Sequence, residues 1–195
     1  MAPVQDPDRD FVQRFQRGEQ SAFNQLVLKY RTRVMGIAAR MLRDQAEAED
    51  LAQDVFVKVY YGLRGFKGES LFSTWLYRIT ANSCLNHRRK QRREQVAQLV
   101  EDPEPLLSDG SSNPHSLLEE RELKLFLERA IQALPQEQRI VLILRDVEGL
   151  SYEAIAESLG WELGTVRSRL HRARMAIQAK MREVFALDAE RSGRL

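Results

Sequence analysis

From residue 163 to residue 182 the chain carries six Arg or Lys residues and no Asp or Glu. Arginine can bond a guanine edge in two places, and Ser or His can bond either a base or a phosphate. At about 100° per residue along a helix, Val166, Leu170, Ala173 and Ile177 share one face and must point inward. Arg167, Ser168, His171 and Arg172 then fall on the opposite face. Solvated helix faces usually mix both signs of charge, and this one does not, so it reads as an electrostatic footprint for DNA. A second basic group lies earlier, where Phe66, Lys67, Phe72, Trp75, Tyr77 and Arg78 set aromatic rings beside positive charge. That mixture suits single-stranded DNA, on whose bases aromatic rings stack. Phe72 and Trp75 read as core, which leaves Phe66, Lys67 and Tyr77 as the better candidates for DNA. Asn82 has two readings: it satisfies a neighbouring loop, or it bonds a base. The run Arg88, Arg89, Lys90, Arg92 and Arg93 has no intervening acid and fits phosphates; a solvated helix end is the other reading.

The elements that carry these residues follow from apolar spacing. Ser151 can cap a short helix whose inner face is Ala154, Ile155 and Leu159; Gly160 supplies a turn, and a second helix begins between Leu163 and Thr165. A short helix, a glycine turn and a second helix make a helix-turn-helix. Upstream, Leu117 to Leu134 are helically spaced. Pro135 opens another helix with Ile140, Val141, Ile143 and Leu144 on its buried face, ended by Gly149. In the first half, Phe23, Leu26, Val27, Tyr30, Val34, Ile37, Ala38 and Met41 recur at three and four residues. Asp44-Gln-Ala-Glu47 reads as a capping box. The helix it opens turns Leu51, Val55, Phe56, Val59 and Leu63 toward a core. Its other side presents Asp50, Gln53, Asp54, Val57 and Tyr61. Exposed apolar residues beside two carboxylates fit a protein partner. Gly62, Gly65 and Gly68 mark a loop before the next helix.

No strand pattern of any length and no internal repeat is present. The expected fold class is all-α: two small helical domains, residues 1–94 and 117–195, joined by a flexible acidic linker over 95–116. Residues 95–116 hold Glu101, Asp102, Glu104, Asp109 and three prolines, with no Lys or Arg. The 195 residues allow one domain or two small ones, and 43% hydrophobic with 30% charged residues can bury a core and stay soluble. A net charge of +2 points to no partner by itself. One cysteine, Cys84, excludes an internal disulfide and a multi-cysteine zinc site. The polar, acidic start is unlike a signal peptide, and no run approaches a membrane span, so a cytoplasmic protein without direct membrane insertion is expected. No cofactor or metal is expected. Asp50 and Asp54 at i,i+4 lack a third ligand nearby, and His87, His115 and His171 have no metal spacing.

Two sets of motifs occur together. Asp50-Leu-Ala-Gln-Asp-Val-Phe56, Phe66-Lys-Gly-Glu-Ser70 and Thr74-Trp-Leu-Tyr-Arg-Ile79 with Asn82 resemble the second conserved region of sigma factors. Gly149-Leu-Ser-Tyr-Glu-Ala-Ile-Ala156 and Gly164-Thr-Val-Arg-Ser-Arg169 resemble the fourth. The likeness is to the extracytoplasmic-function, sigma-E-like group of the sigma-70 family, and it covers the chain apart from the linker and the two ends. It implies a transcription factor that directs RNA polymerase core to promoters in response to envelope or environmental stress. By resemblance, Asp50, Gln53, Asp54 and Phe56 grip the clamp helices of the polymerase β′ subunit, and the β subunit is a further contact. Lys58, Phe66, Lys67, Tyr77, Arg78 and Asn82 match positions that open or read the −10 element of promoter DNA, where a flipped base sits in a pocket formed by the glycine loop. Arg167, Ser168, His171 and Arg172 match the helix that reads the −35 element. The linker lies where relatives thread a segment through polymerase channels, so its charge could mimic nucleic acid; replacing Glu101, Asp102, Glu104 and Asp109 with Ser should then impair initiation. The family also implies an anti-sigma factor as partner. His171 stands where well-known members carry an aromatic residue, so −35 specificity is expected to differ. Cys84 has no counterpart. Without the inhibitory N-terminal and long third regions of housekeeping sigma factors, the protein should melt DNA less readily and demand a closer promoter match.

Two other readings compete. An ordinary helix-turn-helix regulator would bind DNA without polymerase, but residues 1–94 show no α/β alternation to build a receiver domain. An enzyme would need Cys84 and His87 to act as a thiol–imidazole pair, and no third group supports them.

Overall fold

The computed structural model describes residues 6–42, 44–97 and 117–192. All its regular elements are helical: α1 (Arg9–Gln16), α2 (Gln20–Met41), α3 (Gln45–Leu63), α4 (Phe72–Ala97), α5 (Leu117–Ala133), α6 (Gln136–Leu142), α7 (Tyr152–Leu159) and α8 (Leu163–Ser192). The acidic residues proposed to mimic nucleic acid lie outside the described residues.

Helix boundaries follow side-chain chemistry. The Asp44 carboxylate accepts from Glu47 N at 2.9 Å, satisfying one of the amides that α3 cannot bond internally. Ser151 Oγ does the same for Ala154 N at 3.1 Å and starts α7. Gly160 ends α7 with φ +65°, the left-handed conformation that a Cβ disfavours. The helix that the sequence runs from Pro135 to Gly149 is not uniform. After α6 it widens into one π-helical turn, Ile143–Val147, before Gly149 reverses the chain with φ +76°.

Helices α2, α3 and α4 pack around Leu26, Val34, Ile37, Val55, Val59, Phe72 and Leu76, all buried. Helices α6, α7 and α8 pack around Ile140, Leu144, Ile155, Val166 and Leu170. These two groups are not apart. Helix α4 packs against α7, and α2 packs against α5 and α6, so one apolar cluster runs through both. Polar links cross the same boundary. Arg139, 3% exposed, donates from Nη1 to Met41 O at 2.9 Å, and Asn82 Nδ2 donates to Ser158 O at 3.4 Å.

Helix α1 has no place in the sequence reading above. It is short, and only Phe11, Val12 and Phe15 mark its apolar side. Phe15 is buried against the rings of Phe23 and Tyr60, with centroids 5.4 and 5.3 Å away.

Candidate nucleic-acid interface

In the helix-turn-helix, Val166, Leu170 and Ala173 are buried and Arg167, Ser168, His171 and Arg172 are exposed. Ser168 Oγ donates back to Thr165 O at 3.0 Å, a bond it can exchange for a base or phosphate by rotating its side chain. The basic residues of α8 divide into two sets. Arg169 stacks over the Trp161 ring at 4.0 Å and pairs with Glu137 at 2.6 Å. Arg174 grips Asp146 with two bonds, 3.0 and 2.5 Å long. Those two arginines tie α8 to its own domain. The outward set is the one assigned to DNA from spacing.

On α3, Asp50, Gln53 and Asp54 are exposed along one ridge, joined by Val57 at 54% and Tyr61 at 75% exposure. Phe56 is half-buried beside this ridge. With Val27, Met35, Ala52 and Gln53 it lines an open, mostly apolar groove of about 440 Å³ between α2 and α3. Large apolar residues left in water beside carboxylates mark a protein-docking face.

The glycine loop joins α3 to α4. Gly65 N bonds Gly62 O at 3.0 Å, and Gly68 takes φ +73°. Phe66 is half-buried with its ring 5.0 Å from Trp75, while Lys67 is exposed at the loop tip. Arg78 is exposed on α4. Lys58 reaches from α3 to Ser83 Oγ of α4 at 2.9 Å. The other two −10 candidates lie elsewhere. Tyr77 is only 2% exposed. Its hydroxyl accepts from Arg33 Nη1 at 3.3 Å, and burial pushes the phenol up to about 12. The sequence ranked Tyr77 with Phe66 and Lys67 as open to DNA and Phe72 and Trp75 as core. In this arrangement Tyr77 packs with the core, and Arg33 supplies the partner that its hydroxyl needs when buried. Asn82 is half-buried and donates to Ser158 O of α7 in this arrangement. Of the basic run on α4, Arg89 and Lys90 are exposed and Arg88 is half-buried.

Cys84 is buried and its thiol is pushed up to about 12, by burial first. A thiol held protonated and out of solvent is a poor nucleophile. His87 instead faces Glu47 at 3.5 Å. Among the described residues no group of three His, Cys, Asp or Glu could hold a metal, and no helix is long and apolar enough to cross a membrane.

Two family models match this chain: sigma-70 region 2 over residues 26–94, and sigma-70 region 4 over residues 127–177. The chain is 40% identical over 189 residues to the RNA polymerase sigma-H factor of Pseudomonas aeruginosa, covering 93% of this chain and 97% of that one. It belongs to the extracytoplasmic-function sigma factors. The ECF RNA polymerase sigma-E factor of Escherichia coli K12 is 39% identical over 184 residues, 91% of this sigma factor and 96% of that protein. Among solved structures, the sigma factor RpoE of Bartonella quintana, in complex with the anti-sigma factor NepR, superposes with TM-score 0.65 at 27% identity. That match spans 82% of this sigma factor and 96% of that chain. Membership makes the protein a sigma factor that directs RNA polymerase to promoters. The helix-turn-helix lies within region 4, and the α3 ridge and glycine loop within region 2.

Sequence reasoning missed Asp6, Asp8 and Gln16, which connect the N-terminal segment to the rest of region 2. It also missed Arg139 and Ser158, which join the two domains. The first group carried only a weak signal, Phe11-Val12 and Phe15 in a helix of eight residues; the second carried none, since each partner is distant in sequence.

Proposed function

We propose that this sigma factor recruits RNA polymerase core through the α3 ridge and reads promoters with two separate faces. Asp50, Gln53, Asp54 and Phe56 meet the β′ clamp helices. Lys58, Phe66, Lys67, Arg78 and, once uncovered, Tyr77 and Asn82 meet the −10 element. Arg167, Ser168, His171 and Arg172 enter the major groove of the −35 element. The working units are residues 1–94 and 117–195, joined by 95–116. The polymerase supplies the chemistry, so the protein itself is no enzyme. It acts in the cytoplasm under stress, and an anti-sigma factor holds it in reserve, as a likeness to a sigma factor bound by one supports.

The observation that carries this reading is the outward Arg167–Ser168–His171–Arg172 face in a chain whose other half offers an exposed apolar and acidic ridge. A DNA-reading helix alone fits an ordinary regulator; the ridge needs a protein partner. The test is binding of promoter duplex by fluorescence anisotropy, with and without core polymerase. Tight, specific binding only with core supports the sigma mechanism. Equal binding without core would return the protein to the ordinary regulators.

A further inference from the structure

Helix α1 lies before the region 2 match, which begins at residue 26, yet its polar side chains reach the glycine loop. Gln16 Nε2 donates to Leu63 O at 3.0 Å and to Phe66 O at 2.8 Å. Those carbonyls frame the start of the loop. At the other end, Asp6 Oδ2 accepts from Phe72 N at 2.8 Å, the first amide of α4, which has no carbonyl partner within its own helix. One short segment thus holds both ends of the loop.

The segment is itself fixed. Asp8 is fully buried, and its carboxylate accepts from Lys29 Nζ and Tyr30 Oη of α2. The Arg14 guanidinium forks onto Glu19 with bonds of 2.8 and 2.5 Å and closes the turn into α2. Phe15 anchors the helix among aromatic rings. These contacts already dock α1; the bonds of Gln16 go to the loop, while Asp6 also accepts from Asp8 N through Oδ1 at 3.0 Å and so shapes the turn into α1 as well as holding the loop. Between helix and loop lies a cleft of about 270 Å³, walled by Arg9 and Gln13 on one side and by Phe66 and Lys67 on the other.

We infer that Gln16 and Asp6 are positioning residues for −10 recognition: they hold the loop between α3 and α4 in the form that presents Phe66 and Lys67 to the DNA strand. The segment ahead of region 2 then sets how tightly that strand is held. This rests on the reading above that the loop meets the −10 strand.

The experiment uses holoenzyme assembled from core polymerase and full-length protein. Fluorescent single strands carrying the −10 sequence are titrated, together with a set in which each base in turn is abasic. The variants are Gln16→Ala, Gln16→Lys, Asp6→Ala, Asp6→Asn and Lys67→Ala. Gln16 is exposed, so its variants keep the fold. Gln16→Ala is expected to weaken the intact strand by roughly tenfold, with core affinity unchanged. That defect should vanish for the strand abasic at the position the loop reads. Gln16→Lys, whose ammonium can donate to the same two carbonyls, should restore most of the binding, and Asp6→Asn should outperform Asp6→Ala. If Lys67→Ala weakens binding and Gln16→Ala does not, positioning by α1 is overturned while loop contact stands. If neither matters, loop contact itself fails, and the inference with it. Equal loss on every strand, unrescued by lysine, would reduce Gln16 to a folding role and overturn the inference.

Discussion

Replacing Arg139 with methionine should open the protein. Its guanidinium donates to Met41 O and Leu134 O, both at 2.9 Å, and to Gln132 O. Met41 ends α2, and its carbonyl is among those a helix terminus leaves without an internal partner. Methionine keeps much of the arginine stem and removes every donor. A hydrogen bond from a charged group contributes about 1.5–3 kcal/mol. The bonds to Gln132 and Leu134 stay inside the second domain, so their loss lowers its resistance to unfolding. The bond to Met41 spans the two domains, so its loss shifts the closed–open balance by about 1.5–3 kcal/mol, roughly 10- to 150-fold toward open. Single-molecule energy transfer reads this directly, with dyes on Leu28→Cys and Met175→Cys, both exposed in this arrangement. Native Cys84 is buried and stays unlabelled. The expected result is a new low-transfer population in Arg139→Met. Binding of a −10 strand by the free protein should tighten in step with the open fraction, because Asn82 and Tyr77 are then uncovered. A variant that melts at lower temperature yet keeps the wild-type transfer distribution would refute the reasoning and confine Arg139 to its own domain.

Three further outcomes are expected. Arg167→Ala should cost the −35 duplex about 1–3 kcal/mol if it reads a guanine, and should relax discrimination at one base pair; competition among base-substituted promoters measures both. Asp54→Ala should weaken core polymerase binding on the order of tenfold, read by titrating labelled protein with core, while its thermal melt stays near wild type. Cys84 should resist alkylation in the native protein at pH 8 and react fully in denaturant. Its folded thiol titrates near 12 against 9.0 for an ordinary thiol, so the unfolded state loses its proton first. Its contribution to stability is therefore complete below pH 9 and falls as pH rises from about 9 to 12; denaturant melts at pH 8 and above, compared with Cys84→Ala, follow it.

Much of the fold was legible because the helices are amphipathic. The three- and four-residue spacing from Phe23 to Met41 matches α2, and Asp44 and Ser151 cap α3 and α7 as their side-chain types imply. The exposed face of α8 was legible for the same reason, since burial of Val166, Leu170 and Ala173 fixes where Arg167 and Arg172 must point. What stayed hidden depends on distant partners. What holds Arg169 and Arg174 to the domain cannot be read locally, because Trp161, Glu137 and Asp146 come from elsewhere in the fold. The burial of Tyr77 in this arrangement was hidden because Arg33, the group that bonds its hydroxyl, is far along the chain. Domain closure rests on pairs such as Asn82 with Ser158 and Arg139 with Met41, which no periodicity connects. The π turn after α6 has no local signature either, and α1 is too short for its three apolar residues to stand out.

In vitro transcription tests the central claim most directly: core polymerase and a library of genomic fragments, with and without this protein. The expected result is a set of new, discrete transcripts whose start sites share two upstream motifs, lost when Arg167 or Asp54 is replaced. No new transcripts, together with polymerase-independent binding to a duplex site, would contradict it.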